Sequence, residues 1–169
     1  METAQLVTMA GLFGKITVDV KEPRLVELWL READGALAAK NLLSLHPAAM
    51  HAWAVGGYSY VVDATGNRYE SRRSTGHRVE QTQGRLRLMG VKLADAAGKA
   101  APLTEDWELA LSDDGKLRWQ IVRTWDAAFA GTFSGAPALF FHARPNEIDT
   151  RRARGRGDLP NPAGNGVIT

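Results

Sequence analysis

The chain has 169 residues, of which 44% are hydrophobic and 24% are charged, a composition typical of one folded domain. It contains no cysteine, which excludes disulfides, thiolate metal sites and cysteine nucleophiles. The net charge of +2 is nearly balanced, and the basic residues are not interleaved with aromatic ones, so we expect no nucleic-acid partner.

The N-terminus and the apolar runs bear on targeting. No run reaches the ~20 apolar residues that a membrane-spanning helix needs. Glu2 stands where a secretory signal would carry Lys or Arg. We therefore expect no membrane contact, and the missing signal and missing cysteines favour the cytoplasm over export.

Alternating apolar residues predict strands in the first half of the chain. Residues 15–20 carry an apolar side chain at every second position, as a half-buried strand does. Residues 58–63 and 68–71 are predicted to be the arms of a hairpin, because the turn between them contains Gly and Asn.

Two further hairpins follow in the second half. Residues 77–82 and 85–93 form one pair, in which Gly90 predicts a β-bulge. Residues 106–111 and 117–125 form the clearest pair, because both arms alternate and an Asp-Gly turn joins them.

Tryptophans mark the inner face of that last pair. Trp107 and Trp119 share the inward phase of their strands, so we expect both to be buried. The same phase, continued along the second arm, reaches Trp125.

Helix is scarce in the pattern. Residues 36–45 contain good helix formers but fit a strand equally well, and residues 94–101 are predicted to be a loop. Residues 138–143 are predicted to be the last strand.

We therefore expect an all-β fold, an antiparallel β-sandwich of roughly ten or more strands with little helix, over residues 1–150. Residues 151–169, rich in Arg, Gly and Pro, are predicted to be a linker or long loop that leads to a missing downstream region.

Several segments resemble the N-terminal β-sandwich of bacterial multidomain glycoside hydrolases, a supersandwich similar to galactose-mutarotase-like folds. The resemblance spans about residues 5–145 and consists of strand order and local sequence character. The segments that carry it are residues 58–71, 90–93, 105–109 and 117–125.

The resemblance implies a domain without chemistry of its own. In such enzymes the sandwich precedes a separate (α/α)6 catalytic barrel, so the catalytic acid and base would lie downstream of this chain. It implies a downstream catalytic domain as the partner and assigns no catalytic residue here.

The residues themselves also give no catalytic constellation. Glu105 and Asp106 are neighbours in a strand and should point to opposite faces, so they cannot easily flank one glycosidic bond. Asp113 and Asp114 are explained by a hairpin tip. His46 and His51 are five residues apart, a poor spacing for two metal ligands on one helix. We expect no metal site and no cofactor.

Aromatic residues are the remaining candidates. Trp53, Tyr58 and Tyr60 surround a Gly-Gly pair and are the predicted carbohydrate-binding residues, because exposed rings stack on the apolar faces of sugars. The alternative is that they belong to the core.

Three functions stay open from the sequence. The first is a non-catalytic N-terminal domain of a carbohydrate-active enzyme, as the resemblance implies. The second is a free-standing module that binds a saccharide, or a protein through a sheet edge, which exposure of the three aromatic residues would favour and burial would weaken. The third is a small sugar epimerase, which needs a histidine and a carboxylate in one pocket.

Overall fold

A computed structural model describes residues 5–12, 14–32, 34–37, 41–43, 56–74, 76–112, 116–126 and 131–139. These residues form eleven strands and one 3-10 turn, Ser71–Arg73. The strands are β1 (Leu6–Gly11), β2 (Gly14–Asp19), β3 (Arg24–Leu30), β4 (Gly57–Asp63), β5 (Arg68–Glu70), β6 (Arg78–Thr82), β7 (Arg85–Val91), β8 (Leu103–Leu111), β9 (Leu117–Trp125), β10 (Phe133–Ser134) and β11 (Pro137–Leu139).

The strands form two antiparallel sheets. The first sheet has seven strands in the order β1-β2-β3-β4-β10, with β5 and β11 also paired to β4. The second sheet has four strands in the simple order β6-β7-β8-β9. Each hairpin connection is short, as expected for neighbouring antiparallel strands. The expected all-β antiparallel fold is confirmed.

The core lies between the two sheets. The first sheet contributes Ile16, Val18 and Val61, and the second contributes Leu88 and Trp107, each at most 1% exposed. Alternation along each strand places these side chains on one face, so burial follows directly from the sequence pattern. The resulting architecture is a β-sandwich.

The predicted hairpins are present with small changes at their ends. The arms of the 58–63 and 68–71 hairpin pair as β4 and β5, with Gly66 at φ 88° in the turn. The bulge predicted at Gly90 is confirmed by a register shift between Leu88 and Val91. The tip at residues 113–115 lies outside the described residues.

Three segments differ from the sequence prediction, extend it or are described only in part. Strand β1, Leu6–Gly11, was not predicted, because the adjacent apolar residues Leu6 and Val7 leave only weak alternation. The described part of residues 36–45 contains no helix: Leu37 forms an isolated bridge with Arg31, and Leu43 is fully buried. The predicted strand 138–143 is described only as far as residue 139, within β11.

The outer face of the second sheet is charged. Arg87 lies between Glu80 and Glu108 of the neighbouring strands, with N–O distances of 3.8 Å to each. Such a ladder of exposed opposite charges keeps this face in water.

One end of the first sheet exposes three leucines, with the exposed Arg31 among them. Leu12, Leu30 and Leu37 are 72%, 44% and 40% exposed. They lie together because Leu12 follows β1, Gly14 pairs with Leu30, and Leu37 bridges the residue after Leu30. We call these three residues the apolar end.

Candidate functional site

The predicted aromatic residues lie on the outer face of the first sheet, as far as the structure describes them. Tyr58 and Tyr60 are two residues apart on β4, so they share a face, and their ring centroids are 6.5 Å apart. Trp53 lies outside the described residues. The tyrosine pair therefore has the arrangement of a short aromatic platform.

Arginine side chains cover this pair. The guanidinium of Arg68 lies 3.6 Å from the centre of the Tyr60 ring, and that of Arg72 lies 5.0 Å from the centre of the Tyr58 ring. Tyr58 is 0% exposed, and Tyr60 is half-buried. Burial weakens the case for Tyr58 as a sugar platform, because its ring is already packed against protein, and its role in carbohydrate binding stays a prediction. For Trp53 and Tyr60 a role in carbohydrate binding stays a prediction.

A buried carboxylate holds these arginines in place. Glu70, 2% exposed, accepts hydrogen bonds from Arg68 at 2.8 Å, Arg72 at 2.8 Å and Arg73 at 3.1 Å. Burial raises the pKa of Glu70, but the hydrogen bonds and charges of the arginines outweigh it, and the net effect lowers the pKa. Burial, and next the charge of Glu70, raise the pKa of the Tyr58 hydroxyl. The cluster is a structural ion network with its acid inaccessible to a ligand.

A second buried carboxylate joins the two sheets. Glu105 of β8 is 0% exposed and accepts hydrogen bonds from the Ser59 hydroxyl at 2.6 Å, the Trp107 ring at 2.8 Å and Arg123 at 2.8 Å. Its neighbour Asp106 is exposed on the opposite face, where it accepts from the Gly90 amide at 2.8 Å. The prediction that Glu105 and Asp106 point to opposite faces is confirmed.

The histidines and the turn acids add no site. His77, at the start of β6, donates from Nε2 to the carbonyl of Val20. His46, His51, Asp113 and Asp114 all lie outside the described residues. Across the ranges that the structure describes, no three His, Asp or Glu side chains come together as a possible metal site.

A cleft of about 540 Å³ opens at the other end of the sandwich from the apolar end. Strands β4 and β9 end there, and strands β5, β8 and β10 begin there. Its floor is buried apolar surface formed by Ala101, Leu103 and the ring of Tyr69. A volume of this size is within the range of small-molecule sites.

Asp63 and Tyr69 form a fixed polar wall of this cleft. The Asp63 carboxylate accepts from the Thr65 hydroxyl at 2.7 Å, the Asn67 amide at 2.9 Å and the Tyr69 hydroxyl at 3.1 Å. The hydrogen bond from Thr65, followed by those from Asn67 and Tyr69, holds the pKa of Asp63 well below its usual range. Burial and the bond to Asp63 raise the pKa of Tyr69. Asp63 therefore stays ionised and Tyr69 stays neutral at neutral pH.

The opposite rim carries charged side chains that have no partner among the described residues. Lys92, Lys99 and Asp126 line the cleft and are exposed. Within the described part of the chain, none of these three side chains makes a hydrogen bond or ion pair, although their backbone amides do. They are therefore available to a ligand.

Aromatic rings complete the cleft. Phe133 lines it, with its ring centroid 5.9 Å from that of Tyr69 and 5.3 Å from that of Trp125. Trp125 is 43% exposed. The predicted inward position of Trp125 is right, because Trp125 pairs with the buried Leu103. Strand β9 ends at this residue, and its ring stays partly exposed.

Sequence reasoning missed this cleft as a site. The available signal was that Asp63 and Asp126 each end a predicted strand, and strand ends of a sandwich gather at its two ends. The packing of one sheet on the other was needed to place both at the same end.

Comparisons with protein-family models, with curated proteins and with solved structures give no match to this chain. The fold class therefore rests on the two sheets themselves, and a shared fold alone would not fix a function. Among the described residues, no helix has the length and apolar character to cross a membrane.

Proposed function

We propose that this chain is the non-catalytic β-sandwich domain of a carbohydrate-active enzyme, a glycoside hydrolase, in which it supports the catalytic domain and shapes one wall of its cleft. The proposal rests on the resemblance in strand order and on the chemistry of the buried acids. It takes a downstream catalytic domain as the partner.

The observation that carries the proposal is the state of the buried acids. A glycosidase needs two carboxylates that flank the sugar, at least one of which changes protonation during the reaction. Glu70 and Glu105 are 2% and 0% exposed, and each is bound by arginine. These acids serve the fold, which supports a structural role for the domain.

The apolar end supports contact with another domain. Its three leucines contrast with the charged outer face of the second sheet, and burial of exposed Leu side chains favours association. We therefore expect the catalytic domain to pack against Leu12, Leu30 and Leu37.

Aryl-glycoside turnover by two preparations tests the proposal. The isolated chain and the native protein, purified from its source with an antibody against this chain, are compared for aglycone release. We expect release by the native protein and none by the isolated chain. Turnover by the isolated chain would refute the non-catalytic role, and an inactive native protein would refute the link to a glycosidase.

The second candidate is a free-standing binding module. The cleft favours it, because exposed Trp125 and half-buried Phe133 adjoin charged side chains that have no described protein partner. Under that alternative, the native protein would bind a saccharide and release no aglycone.

A further inference from the structure

The cleft between Asp63 and Lys99 is lined by positively and negatively charged side chains in equal number. Two lysines, Lys92 and Lys99, supply ammonium donors, and two aspartates, Asp63 and Asp126, supply carboxylate acceptors. The formal charges of these four groups cancel. An anionic ligand would gain little net attraction here, because anion sites carry an excess of positive charge.

Among the described residues, Asp63 is the one of these four groups whose charged atoms already make hydrogen bonds. It is saturated by its own turn and by Tyr69, so its role is to fix the cleft wall and the position of the Tyr69 ring. Lys92, Lys99 and Asp126 remain on the rim with their side-chain polar atoms unused among the described residues. A ligand that both accepts from an ammonium and donates to a carboxylate would satisfy them.

Adjacent hydroxyl groups have this property. A hydroxyl donates one hydrogen bond and accepts through two lone pairs, so a pair of neighbouring hydroxyls can bridge an ammonium and a carboxylate. Phe133 lines the cleft, and the exposed ring of Trp125 lies beside it with the two ring centroids 5.3 Å apart, so the two rings suit the C–H face of a pyranose ring.

We propose that this cleft binds a neutral oligosaccharide, with Lys99 and Asp126 holding its hydroxyl groups and Phe133 and Trp125 contacting its ring. This inference rests on the proposed role in a carbohydrate-active enzyme and names the ligand class and the place where the domain contacts it. It replaces the tyrosine pair of β4 with the cleft as the main sugar contact.

Titration of the ¹⁵N-labelled protein with neutral trisaccharides, followed by backbone amide shifts, tests the inference. The probes are maltotriose, cellotriose, mannotriose and galactotriose, with trigalacturonate as the charged counterpart of the last. We expect saturable shifts for at least one neutral probe at the amides of Lys99, Asp126 and Thr132, with weaker binding of trigalacturonate than of galactotriose.

Matched variants identify the groups responsible. Asp126→Asn and Lys99→Gln should each weaken binding by at least about 5-fold, because each removes a charged hydrogen-bond partner. The controls are Asp34→Asn and Lys116→Gln, which make the same chemical changes outside the cleft and should leave the affinity unchanged. Unaltered thermal unfolding in all four shows that the fold is intact.

Three results would overturn the inference: no shift with any neutral probe, shifts confined to residues outside the cleft, or tighter binding of trigalacturonate than of galactotriose. None of these would touch the proposed supporting role, which depends on aglycone release by the native protein. If the native protein releases aglycone but the sandwich binds no sugar, the supporting role stands and the inference about the cleft fails.

Discussion

Replacing Arg123 should destabilise the sandwich strongly. The guanidinium donates to Glu105 at 2.8 Å and also to the Ser59 hydroxyl at 2.9 Å and the Tyr60 carbonyl at 3.2 Å. In Arg123→Met the 0% exposed carboxylate of Glu105 keeps only its two neutral donors, from Ser59 and Trp107.

Removing one partner of a buried ion pair costs about 3–5 kcal/mol. The Arg123 side chain is 22% exposed, so water reaches part of the site, and we expect the lower limit, about 3 kcal/mol. For a chain of this length that loss lowers Tm by about 6–12 °C. Urea and thermal unfolding followed by tryptophan fluorescence measure both quantities.

Two further variants make this prediction specific. Arg118→Met makes the same change on the exposed face of the same strand and should stay within about 0.5 kcal/mol of the parent. The double variant Glu105→Gln with Arg123→Met removes the buried charge and should be more stable than Arg123→Met alone. Equal effects of Arg123→Met and Arg118→Met, or a double variant less stable than Arg123→Met, would show that the ion pair does not join the sheets as described.

Three other predictions concern stability. The pKa of Glu70 is lowered in the folded state, so its ionised form stabilises the fold above the ordinary Glu value of 4.5, and this stability is lost as pH falls through the folded pKa. The urea midpoint should therefore decrease as the pH is lowered through the pKa of folded Glu70. Glu70→Gln should make this decrease smaller. Gly14→Ala should cost about 3 kcal/mol, because the new Cβ would lie 1.8 Å from the Trp29 carbonyl oxygen, whereas Gly98→Ala, with open space, should cost about 1 kcal/mol in the same urea assay. Trp107→Ala should cost about 3–5 kcal/mol by thermal unfolding, since that ring is 1% exposed. The first prediction would be contradicted if Glu70→Gln left the pH dependence of the urea midpoint unchanged. The second would be contradicted if both glycine variants lost the same free energy of unfolding, and the third if Trp107→Ala lost much less than about 3 kcal/mol.

Local pattern was sufficient for most of the strands and for the direction of many side chains. Alternation predicted the burial of Trp107 and the opposite faces of Glu105 and Asp106, and Gly90 predicted the bulge. These features depend on neighbours in sequence, which period-two geometry relates directly. Strand β1 was missed because its residues alternate weakly.

Contacts between distant residues were beyond the sequence pattern. The burial of Tyr58 depends on arginines that follow the next strand, and Glu105 meets Ser59 across the sandwich, 46 residues away. The cleft depends on how the two sheets pack, because β4 and β9 lie in different sheets and their ends meet only through that packing. Strand alternation assigns a side chain to a face but does not say what covers that face.

Thermal inactivation of the native protein tests the supporting role most directly. Aryl-glycoside turnover is measured after heating the native protein and its Arg123→Met and Arg118→Met variants. We predict that Arg123→Met loses activity at a temperature lower by about the same 6–12 °C as the isolated domain unfolds, with normal turnover before heating, while Arg118→Met matches the parent. Activity that survives unfolding of this sandwich, or no glycosidase activity in the native protein at all, would contradict the account.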